Sequence, residues 1–414
     1  MNRGDRIRLA IERPAAGGRM IARHDGAIVF VAGAIPGEIV EAEIEKVQRG
    51  TVWAATRDVL ERSPDRLEGA PDGACGGSVF AHIGYERQRT LKTAIIEDSL
   101  RRLGHITLPE PVDVVASPID GYRMRARLHV RGGRIGFFRE ATHSLCDARQ
   151  TRQLSDAAMD AMDALQHSLS QLERSPVSEI ELSENVPATE RAVHLELVPD
   201  TDPSRLATVS KVAGLTGATS APAGHPRTME LWGSPYVSDR VNGATVTRHT
   251  RSFFQGNRFL LEALVNHVMG LIDGWPVLDL YAGAGLFSVA AAAEGKGSVV
   301  AVEGDPFSAA DLRRNAQGHD IDAFAGSVET FLRRAPQRPG TVIVDPPRTG
   351  MSKEATAGVI RFLAHRVVYV SCDIATLARD AKQLIDAGYQ IDDVRAFDLF
   401  PNTAHVETII SFSR

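Results

Sequence analysis

The fold is decided by the stretch VLDLYAGAG at residues 277–285, in which a short apolar segment runs directly into a glycine-rich turn. Similar apolar segments recur at 298–302, 341–344 and 366–370, and the hydrophobic residues between them keep helical spacing. Such an alternation of strand and helix is typical of a mostly parallel sheet that helices cover on both faces. We therefore predict an α/β domain of Rossmann-like topology over residues 251–414.

Four residues with useful chemistry lie at or just after predicted strand ends: Gly283, Glu303, Asp345 and Cys372. Ligands bind such sheets outside the carboxyl ends of the strands, so we expect these residues at one edge. The glycine turn is a weak signal by itself, because it lacks the third glycine of the dinucleotide fingerprint and an ordinary turn would look the same. Glu303, however, is placed to accept the hydroxyls of a ribose. The pattern predicts a nucleoside cofactor without a pyrophosphate, which S-adenosylmethionine fits better than NAD.

Asp345 begins the loop DPPR at residues 345–348. Two prolines fix φ and remove two amide donors, so the loop is stiff and its carboxylate is held in one direction. A plain turn is the alternative, but loops at the strand ends of a ligand-binding sheet often carry function. Arg348 occupies the place where amino-methylating enzymes often have an aromatic residue that stacks on a flipped base.

Cys372 follows the apolar strand predicted over residues 366–370 and precedes a helix predicted over residues 374–385. A buried, unreactive thiol is the general alternative. The position at a strand end, the dipole of the following helix and Arg379 as a cationic neighbour favour a thiolate, and hence a nucleophile. Glu407 heads the last predicted strand, and spacing alone assigns it no role.

The upstream half of the chain predicts two further domains. Residues 1–60 alternate and turn like a small β-barrel, whereas residues 61–250 mix short strands and helices in an α+β pattern. We expect the amphipathic helix at 86–103 to pack on the domain at 251–414. Between residues 121 and 140, six arginines are interleaved with aromatic residues; this is typical either of an RNA-binding surface or of the solvated face of a hairpin.

Composition limits the class of protein. The 414 residues are 43% hydrophobic and 24% charged, and the formal net charge of −5 argues against a protein that coats nucleic acid nonspecifically. We find neither a long apolar run nor the apolar region of a secretory signal, and therefore expect a cytoplasmic protein without membrane partners. Three cysteines in a chain of this length do not indicate a disulfide framework.

Several motifs in order resemble the RNA uracil-5-methyltransferases over nearly the whole chain. The motifs are FQGN (254–257), DLYAGAG (279–285), DPPRTG (345–350), SCDIATLARD (371–380) and HVE (405–407). The N-terminal segment, with the turn VAGAIPGE at 31–38, is similar to the TRAM domain, an OB-like RNA-binding barrel. The resemblance implies a TRAM-like barrel at 1–60, a central RNA-binding domain at 61–250 and an S-adenosylmethionine-dependent methyltransferase domain at 251–414.

The resemblance also implies roles for individual residues. Cys372 would add to C6 of uracil, and Glu407 would remove the C5 proton after methyl transfer. A target base must leave its stack to reach Cys372. The expected contacts are sorted by partner: Gln255, Tyr281, Gly283, Glu303 and Asp345 with S-adenosylmethionine, and Phe254, Arg125 and Arg348 with RNA.

The chain departs from the family pattern at the cysteines that hold an iron-sulfur cluster in many relatives. The usual Cys-Gly-Gly-Cys run has become Cys75-Gly76-Gly77-Ser78, and Cys146 is the one remaining partner. Two thiolates are too few for the usual cluster, so we expect none. Cys75 and Cys146 could still lie close together as a remnant.

Three functions follow as hypotheses. The favoured one is a monomeric enzyme that methylates C5 of uridine in RNA; the TRAM-like barrel and the cysteine remnant favour large-subunit ribosomal RNA over transfer RNA. The second is an amino-group methyltransferase acting on adenine or cytosine, which needs no nucleophilic thiol. The third is a noncatalytic RNA-binding protein built on a decayed methyltransferase.

Overall fold

The computed structural model describes residues 1–140, 142–172, 175–208, 211–225, 227–334 and 338–414. It begins with a closed five-stranded barrel in the order β1-β2-β3-β5-β4. The strands are β1 Arg6–Pro14, β2 Met20–His24, β3 Ala27–Ala32, β4 Ile39–Gln48 and β5 Thr51–Glu61. Alternate residues of β4 (Val40, Ala42 and Ile44) are fully buried, so the period of two that the sequence shows fills the barrel interior.

One long helix, α1 (Tyr85–Ser99), connects the barrel to the rest of the chain and continues as a π-helical turn over Leu100–Gly104. Its buried face includes Leu91, Ile95 and Ile96. These residues belong to a hydrophobic core shared with the barrel and the C-terminal domain. The π-helical turn packs on the C-terminal domain through Gly104, where an added Cβ would lie 3.0 Å from the carbonyl oxygen of Ala378.

The central region is a seven-stranded sheet in the order β13-β12-β11-β10-β7-β8-β9, covered on one face by a single long helix. Its hairpin β7–β8 turns at Gly132-Gly133, as the sequence predicts. The helix α2 begins after Ser155, whose side chain accepts a hydrogen bond from the amide of Ala158. The elements are β7 Arg125–Arg131, β8 Arg134–Phe138, β9 Leu145–Cys146, α2 Asp156–Ser170, β10 Val177–Glu184, β11 Arg191–Leu197, β12 Gly217–Pro222 and β13 Met229–Gly233, followed by the separate hairpin β14 Tyr236–Val241 and β15 Ala244–His249.

The C-terminal domain is an eight-stranded sheet in the order β18-β17-β16-β19-β20-β22-β21-β6, so the predicted α/β class is confirmed. The first five strands in this order, from β18 to β20, are parallel, and β22 is antiparallel to both of its neighbours. The short strand β6, from the segment after α1, pairs with β21 at one edge of the sheet. All residues of β16 and β19 are buried, as expected for strands covered on both faces. The elements are β6 Val114–Val115, α3 Leu261–Gly270, β16 Val277–Leu280, α4 Leu286–Ala293, β17 Val299–Glu303, α5 Pro306–Asn315, β18 Ile321–Ala325, α6 Val328–Arg334, β19 Thr341–Val344, α7 Lys353–Phe362, β20 Arg366–Ser371, α8 Ile374–Asp386, β21 Gln390–Phe397 and β22 Glu407–Ser413.

Among the described residues, no helix is both long enough and apolar enough to cross a membrane.

Candidate active site

Strand register brings Cys372 and Glu407 together. Ser371, the last residue of β20, pairs with Thr408 of β22. Cys372 follows Ser371, and Glu407 precedes Thr408. The two residues are therefore neighbours across the antiparallel strand pair. The carboxyl group of Glu407 is close enough to raise the pKa of the Cys372 thiol. Two residues that lie 35 positions apart in the chain therefore share one site.

The thiol of Cys372 is neutral in this arrangement, contrary to the expectation of a ready thiolate. Burial, and then the nearby carboxyls of Glu407 and Asp345, raise the pKa of Cys372 to about 12. The helix dipole gives little help because Asp373, not the thiol, caps α8 by accepting a hydrogen bond from the amide of Thr376 at 2.9 Å. The thiol must therefore be activated when substrates bind.

The cation beside Cys372 is Arg348 rather than Arg379. The charge of the exposed Arg348 side chain, and then its hydrogen bond, lower the pKa of the thiol, against the larger effects of burial and of the Glu407 carboxyl. Arg379 is turned away: its guanidinium binds the carboxylate of Asp380 and donates to the carbonyl of Met351 at 3.1 Å. The expectation that Arg379 assists the thiol is therefore wrong, and the stiff DPPR loop supplies the charge instead.

Three carboxyl groups line the same edge, and none of them forms a salt bridge with a described residue. Burial, followed by the charge of Asp345, raises the pKa of Glu407 well above its usual value, and Arg348 only partly opposes this. Burial and the charge of Asp279 raise the pKa of Asp345 to about 7, although a hydrogen bond from Gln255 at 3.1 Å opposes the shift. Asp279 is also raised to a pKa of about 7, mainly by burial. Such a cluster has a strong preference for a cationic ligand.

The glycine turn and Glu303 form the other half of the edge. The amide of Gly283 donates to Oε2 of Glu303 at 2.8 Å, and the amide of Asp305 donates to Oε1 at 2.6 Å. Burial raises the pKa of Glu303, and these amides partly offset the shift. Gly285 has a φ of +91°, and an added Cβ would lie 2.8 Å from Leu312, so only glycine fits this turn. Four of the predicted cofactor residues therefore lie at the same edge of the C-terminal sheet: Gln255, Gly283, Glu303 and Asp345.

Tyr281 occupies a different position from the rest of this group. Its backbone is left-handed, with φ +63°. Its ring is half-buried and lines a cavity of about 750 Å³ between the DPPRTG loop and α8, which also includes Leu103, Glu329 and Met351. Tyr281 therefore lines this cavity, whereas hydrogen bonds connect Gln255 with Asp345 and Gly283 with Glu303.

The aromatic side chain available to an RNA base is Phe253, not Phe254. Phe254 is only 4% exposed, and the guanidinium of the fully buried Arg248 lies 3.8 Å from its ring centre, so the ring that was predicted to contact RNA is covered in the free protein. Phe253 is 57% exposed, and the guanidinium of Arg125 lies 5.9 Å from its ring centre. The backbone carbonyl of Phe253 approaches Gly283, where an added Cβ would lie 3.9 Å away, so this residue lies beside the glycine turn.

Sequence reasoning missed the role of Asp279 as well as that of Phe253. Asp279 is fully buried; its Oδ2 accepts a hydrogen bond from Ser288, whereas its Oδ1 has no partner. A single acid inside the apolar segment 277–280 was a usable signal, because buried carboxylates without a partner are rare in structural positions. No comparable signal distinguishes two adjacent phenylalanines in a loop.

Cys75 and Cys146 are joined by a disulfide between the segment before α1 and the strand β9. The Cα atoms lie 5.7 Å apart, so the two cysteines are close together, as their resemblance to a cluster remnant implies. Among the described residues, no group of three or more His, Cys, Asp or Glu is arranged to hold a metal ion.

Comparisons with known proteins relate the chain to RNA methyltransferases. The family described as tRNA (Uracil-5-)-methyltransferase matches residues 336–414, and the TRAM domain matches residues 2–54. The 23S rRNA (uracil(1939)-C(5))-methyltransferase RlmD of Photorhabdus laumondii is 30% identical over 96% of this chain and 94% of its own length. An uncharacterized RNA methyltransferase of Streptomyces avermitilis is 31% identical over 98% of both chains.

A solved structure matches over the same extent. The Pyrococcus abyssi tRNA (uracil-54, C5)-methyltransferase in complex with S-adenosyl-L-homocysteine has a TM-score of 0.79 and 24% identity, covering 98% of this chain and 99% of that one. Sheet, barrel and central region therefore share one architecture. The fold and the relatives together define the class of protein: this chain belongs to the RNA uracil-5-methyltransferase family.

Proposed function

We propose that this enzyme methylates C5 of a uridine in large-subunit ribosomal RNA, with S-adenosylmethionine as the methyl donor. The observation that carries the proposal is the juxtaposition of Cys372 with Glu407 at the end of β20 and the start of β22. A thiol and a carboxyl group beside one another supply both the nucleophile and the base that a 5-methylation of uracil requires.

The donor fits the edge on which these residues lie. S-adenosylmethionine supplies an electrophilic methyl group on a positively charged sulfur. Burial raises the pKa values of the carboxyl groups of Asp279, Asp345 and Glu407, so a nearby cation would favour their ionised forms. Glu303 and the turn at Gly283 are placed for a ribose, since both lie at the ends of neighbouring strands, β17 and β16.

The reaction needs two proton losses. Cys372 first loses its proton to solvent, which its half-exposed position allows, and Sγ then adds to C6 of uracil. The electron pair displaced from the C5–C6 bond forms an enolate, and C5 takes the methyl group. Glu407 then removes the proton from C5, the C5–C6 double bond re-forms, and the Cys372 thiolate leaves. Arg348, which donates to Cys372 in the free enzyme, opposes the negative charge on sulfur.

The surface around the pocket suits a single-stranded base. Phe253 offers an exposed ring on which a base that has left its helix can stack, and Arg125 lies over the same ring. A ribosomal substrate is favoured because relatives with 23S rRNA activity align with almost the whole chain, including the barrel. Transfer RNA with the same chemistry is the alternative, and the Pyrococcus enzyme of the same architecture acts on it.

The experiment is to incubate the protein with isotope-labelled S-adenosylmethionine and with either 23S ribosomal RNA or transfer RNA, and to identify the labelled nucleoside by mass spectrometry. We expect 5-methyluridine in the ribosomal RNA. Cys372→Ala should lower the rate by at least about 10⁴-fold, because a missing nucleophile removes the covalent route altogether.

The matched control is the double variant Cys75→Ser/Cys146→Ser, which removes the two disulfide-bonded cysteines outside the site and should retain the rate of methyl transfer. Methyladenosine or methylcytidine as the product, with full activity of Cys372→Ala, would indicate an amino-group methyltransferase. Failure to bind S-adenosylmethionine in calorimetry would indicate a noncatalytic RNA-binding protein.

A further inference from the structure

A fully buried ion pair lies behind the active site, where α1 meets the C-terminal domain. Nζ of Lys92 lies 2.5 Å from Oδ1 of Asp398, and both side chains are 0% exposed. Nζ also donates to the carbonyl oxygen of Phe400 at 3.0 Å. A pair this deeply buried gains little net stability, because desolvation of the two charges offsets their attraction. Its position therefore suggests a task other than holding the fold together.

The pair is directly connected to the strand that carries Glu407. Asp398 follows Phe397, and Phe397 is the residue paired with Glu407 across the β21–β22 ladder. The loop between these strands, residues 398–406, is therefore fixed at its first residue by a lysine from outside the catalytic sheet. Whatever moves this loop also moves the start of β22.

A second side chain of α1 holds the middle of the same loop. Gln88 exchanges two hydrogen bonds with Asn402: its Nε2 donates to Oδ1 at 2.9 Å, and its Oε1 accepts from the amide at 2.9 Å. The barrel touches the loop too, since an added Cβ at Gly18 would lie 3.2 Å from the Cβ of Ala404. The loop before Glu407 is thus packed between α1 and the barrel.

Hydrogen bonds also connect this loop to the segment 255–257, which binds Asp345. Nδ2 of Asn257 donates to Oγ of Ser117 at 2.9 Å and to the carbonyl of Leu399 at 3.2 Å. Two residues earlier, Gln255 donates to Asp345 at 3.1 Å. The residues next to Lys92 and Asp398 therefore connect two sides of the candidate active site.

We propose that Lys92 and Asp398 are positioning residues, which hold the loop 398–406 so that the carboxylate of Glu407 faces C5 of the bound uracil. The proposal rests on the proposed function, because it assigns Glu407 to proton removal. Geometry matters strongly for such a base: a displacement of about 1 Å can lower a rate by about 100-fold. Lys92 comes from α1 and not from the catalytic sheet, so the placement of the base depends on how the N-terminal half of the chain is docked.

The test uses Lys92→Met/Asp398→Asn, which removes both charges and keeps the side-chain volumes similar. RNA with tritium at C5 of uracil reports proton removal, and labelled S-adenosylmethionine reports methyl transfer. We expect kcat for tritium release to fall about 10-fold, with the KM for RNA changed less than about 2-fold. Methylated RNA should remain joined to the protein on denaturing gels, because elimination is slowed while methyl transfer continues.

Lys92→Met alone is a second variant. It leaves Asp398 buried without its partner, so it should also lower the melting temperature. Its kcat is measured well below its melting temperature, where the protein is folded. If this kcat equals that of the double variant, the loss of activity reflects positioning of the base and not unfolding. The matched control is Arg66→Met/Glu38→Gln, a buried pair of the barrel whose hydrogen bonds lie within residues 33–66. It should lower the melting temperature without trapping RNA.

The positioning role is overturned if the Lys92→Met/Asp398→Asn variant releases tritium at the rate of the unchanged protein. It is equally overturned if methyl transfer and tritium release fall together with no trapped RNA, since that pattern indicates a general structural loss. If the unchanged protein makes 5-methyluridine, the proposed function holds regardless of the results with the variants. If the unchanged protein neither makes 5-methyluridine nor releases tritium, the proposed function fails and this role with it.

Discussion

Ionisable side chains are buried in two regions of the molecule, and the two regions treat them differently. Away from the carboxyl edge of the C-terminal sheet, buried acids face cations: Glu38 binds Arg66, Asp239 binds the fully buried Arg248, and Glu184 binds both Arg191 and Arg258. At the carboxyl edge of the C-terminal sheet, the carboxyl of Asp345 adds to the effect of burial in raising the pKa values of Glu407 and Cys372, and Asp279 acts in the same way on Asp345.

The difference indicates where ligands bind. A partner offsets the cost of burying a charge, whereas a group of buried carboxyls without cationic partners is typical of sites where a ligand or a reaction makes use of it. We expect the acid cluster to bind the cationic methyl donor and the thiol to react with a uracil ring. The paired acids need neither, and removing them should affect stability without changing the chemistry.

The largest effect that distinguishes the two regions is expected at Glu407. Glu407→Gln keeps the shape of the side chain and removes the base, so proton abstraction from C5 should slow by about 10²–10⁴-fold. Addition and methylation should continue, and a covalent complex of RNA and protein should accumulate on denaturing gels. Rapid turnover by this variant would place the base elsewhere.

A smaller effect, on stability alone, is expected at Glu38. Burial by itself raises the pKa of Glu38, but hydrogen bonds from Arg66 and from the amides of Ser63 and Ile35 bring it below its usual value. A lowered pKa contributes stability above the unfolded pKa of about 4.5, and this is lost as pH falls through the folded value. Glu38→Gln should therefore destabilise the protein by about 2 kcal/mol at pH 8 and by less near pH 4.

Calorimetric melting at the two pH values, together with kcat at pH 8, checks the Glu38 prediction. An unchanged kcat is expected. A loss of turnover comparable to that of Glu407→Gln would mean that paired acids also serve the chemistry.

The opposite sign is expected at Asp279, with the smallest effect. Burial raises its pKa to about 7, so the protonated form is favoured in the folded protein, and stability is lost as pH rises from about 4 to about 7. Asp279→Asn removes the charge, so it should raise the melting temperature of the free protein at pH 8 by more than at pH 5. If Asp279→Asn lowers the melting temperature equally at pH 5 and pH 8, the carboxylate of Asp279 does not destabilise the free protein, and the prediction is wrong.

Much of the architecture could be predicted because apolar periodicity reports burial on one or both faces of a strand. The alternation over residues 251–414 led to the α/β fold, and the ends of its strands led to Glu303, Asp345 and Cys372. The register between β20 and β22 could not be predicted, since it depends on which strands become neighbours in space. The motif resemblance, and not spacing, therefore supplied the role of Glu407.

Electrostatic state was harder to predict than position. A strand end followed by a helix suggested a thiolate at Cys372, but the sequence does not show that Asp373 takes the helix amides or that two carboxyls converge on the thiol. Exposure was hard to predict as well: Arg248, six residues earlier in the chain, covers the ring of Phe254, and no periodic pattern in this loop reports that contact.

The central claim is that Cys372 forms a covalent bond with C6 of uracil, and trapping that bond tests it most directly. In RNA that contains 5-fluorouracil, addition and methyl transfer proceed, but no proton remains at C5 for Glu407 to remove. After incubation with S-adenosylmethionine and protease digestion, mass spectrometry should find a methylated fluorouracil on the peptide that contains Cys372 and none with Cys372→Ala. Normal 5-methyluridine formation from uridine RNA with no adduct on that peptide would contradict the account.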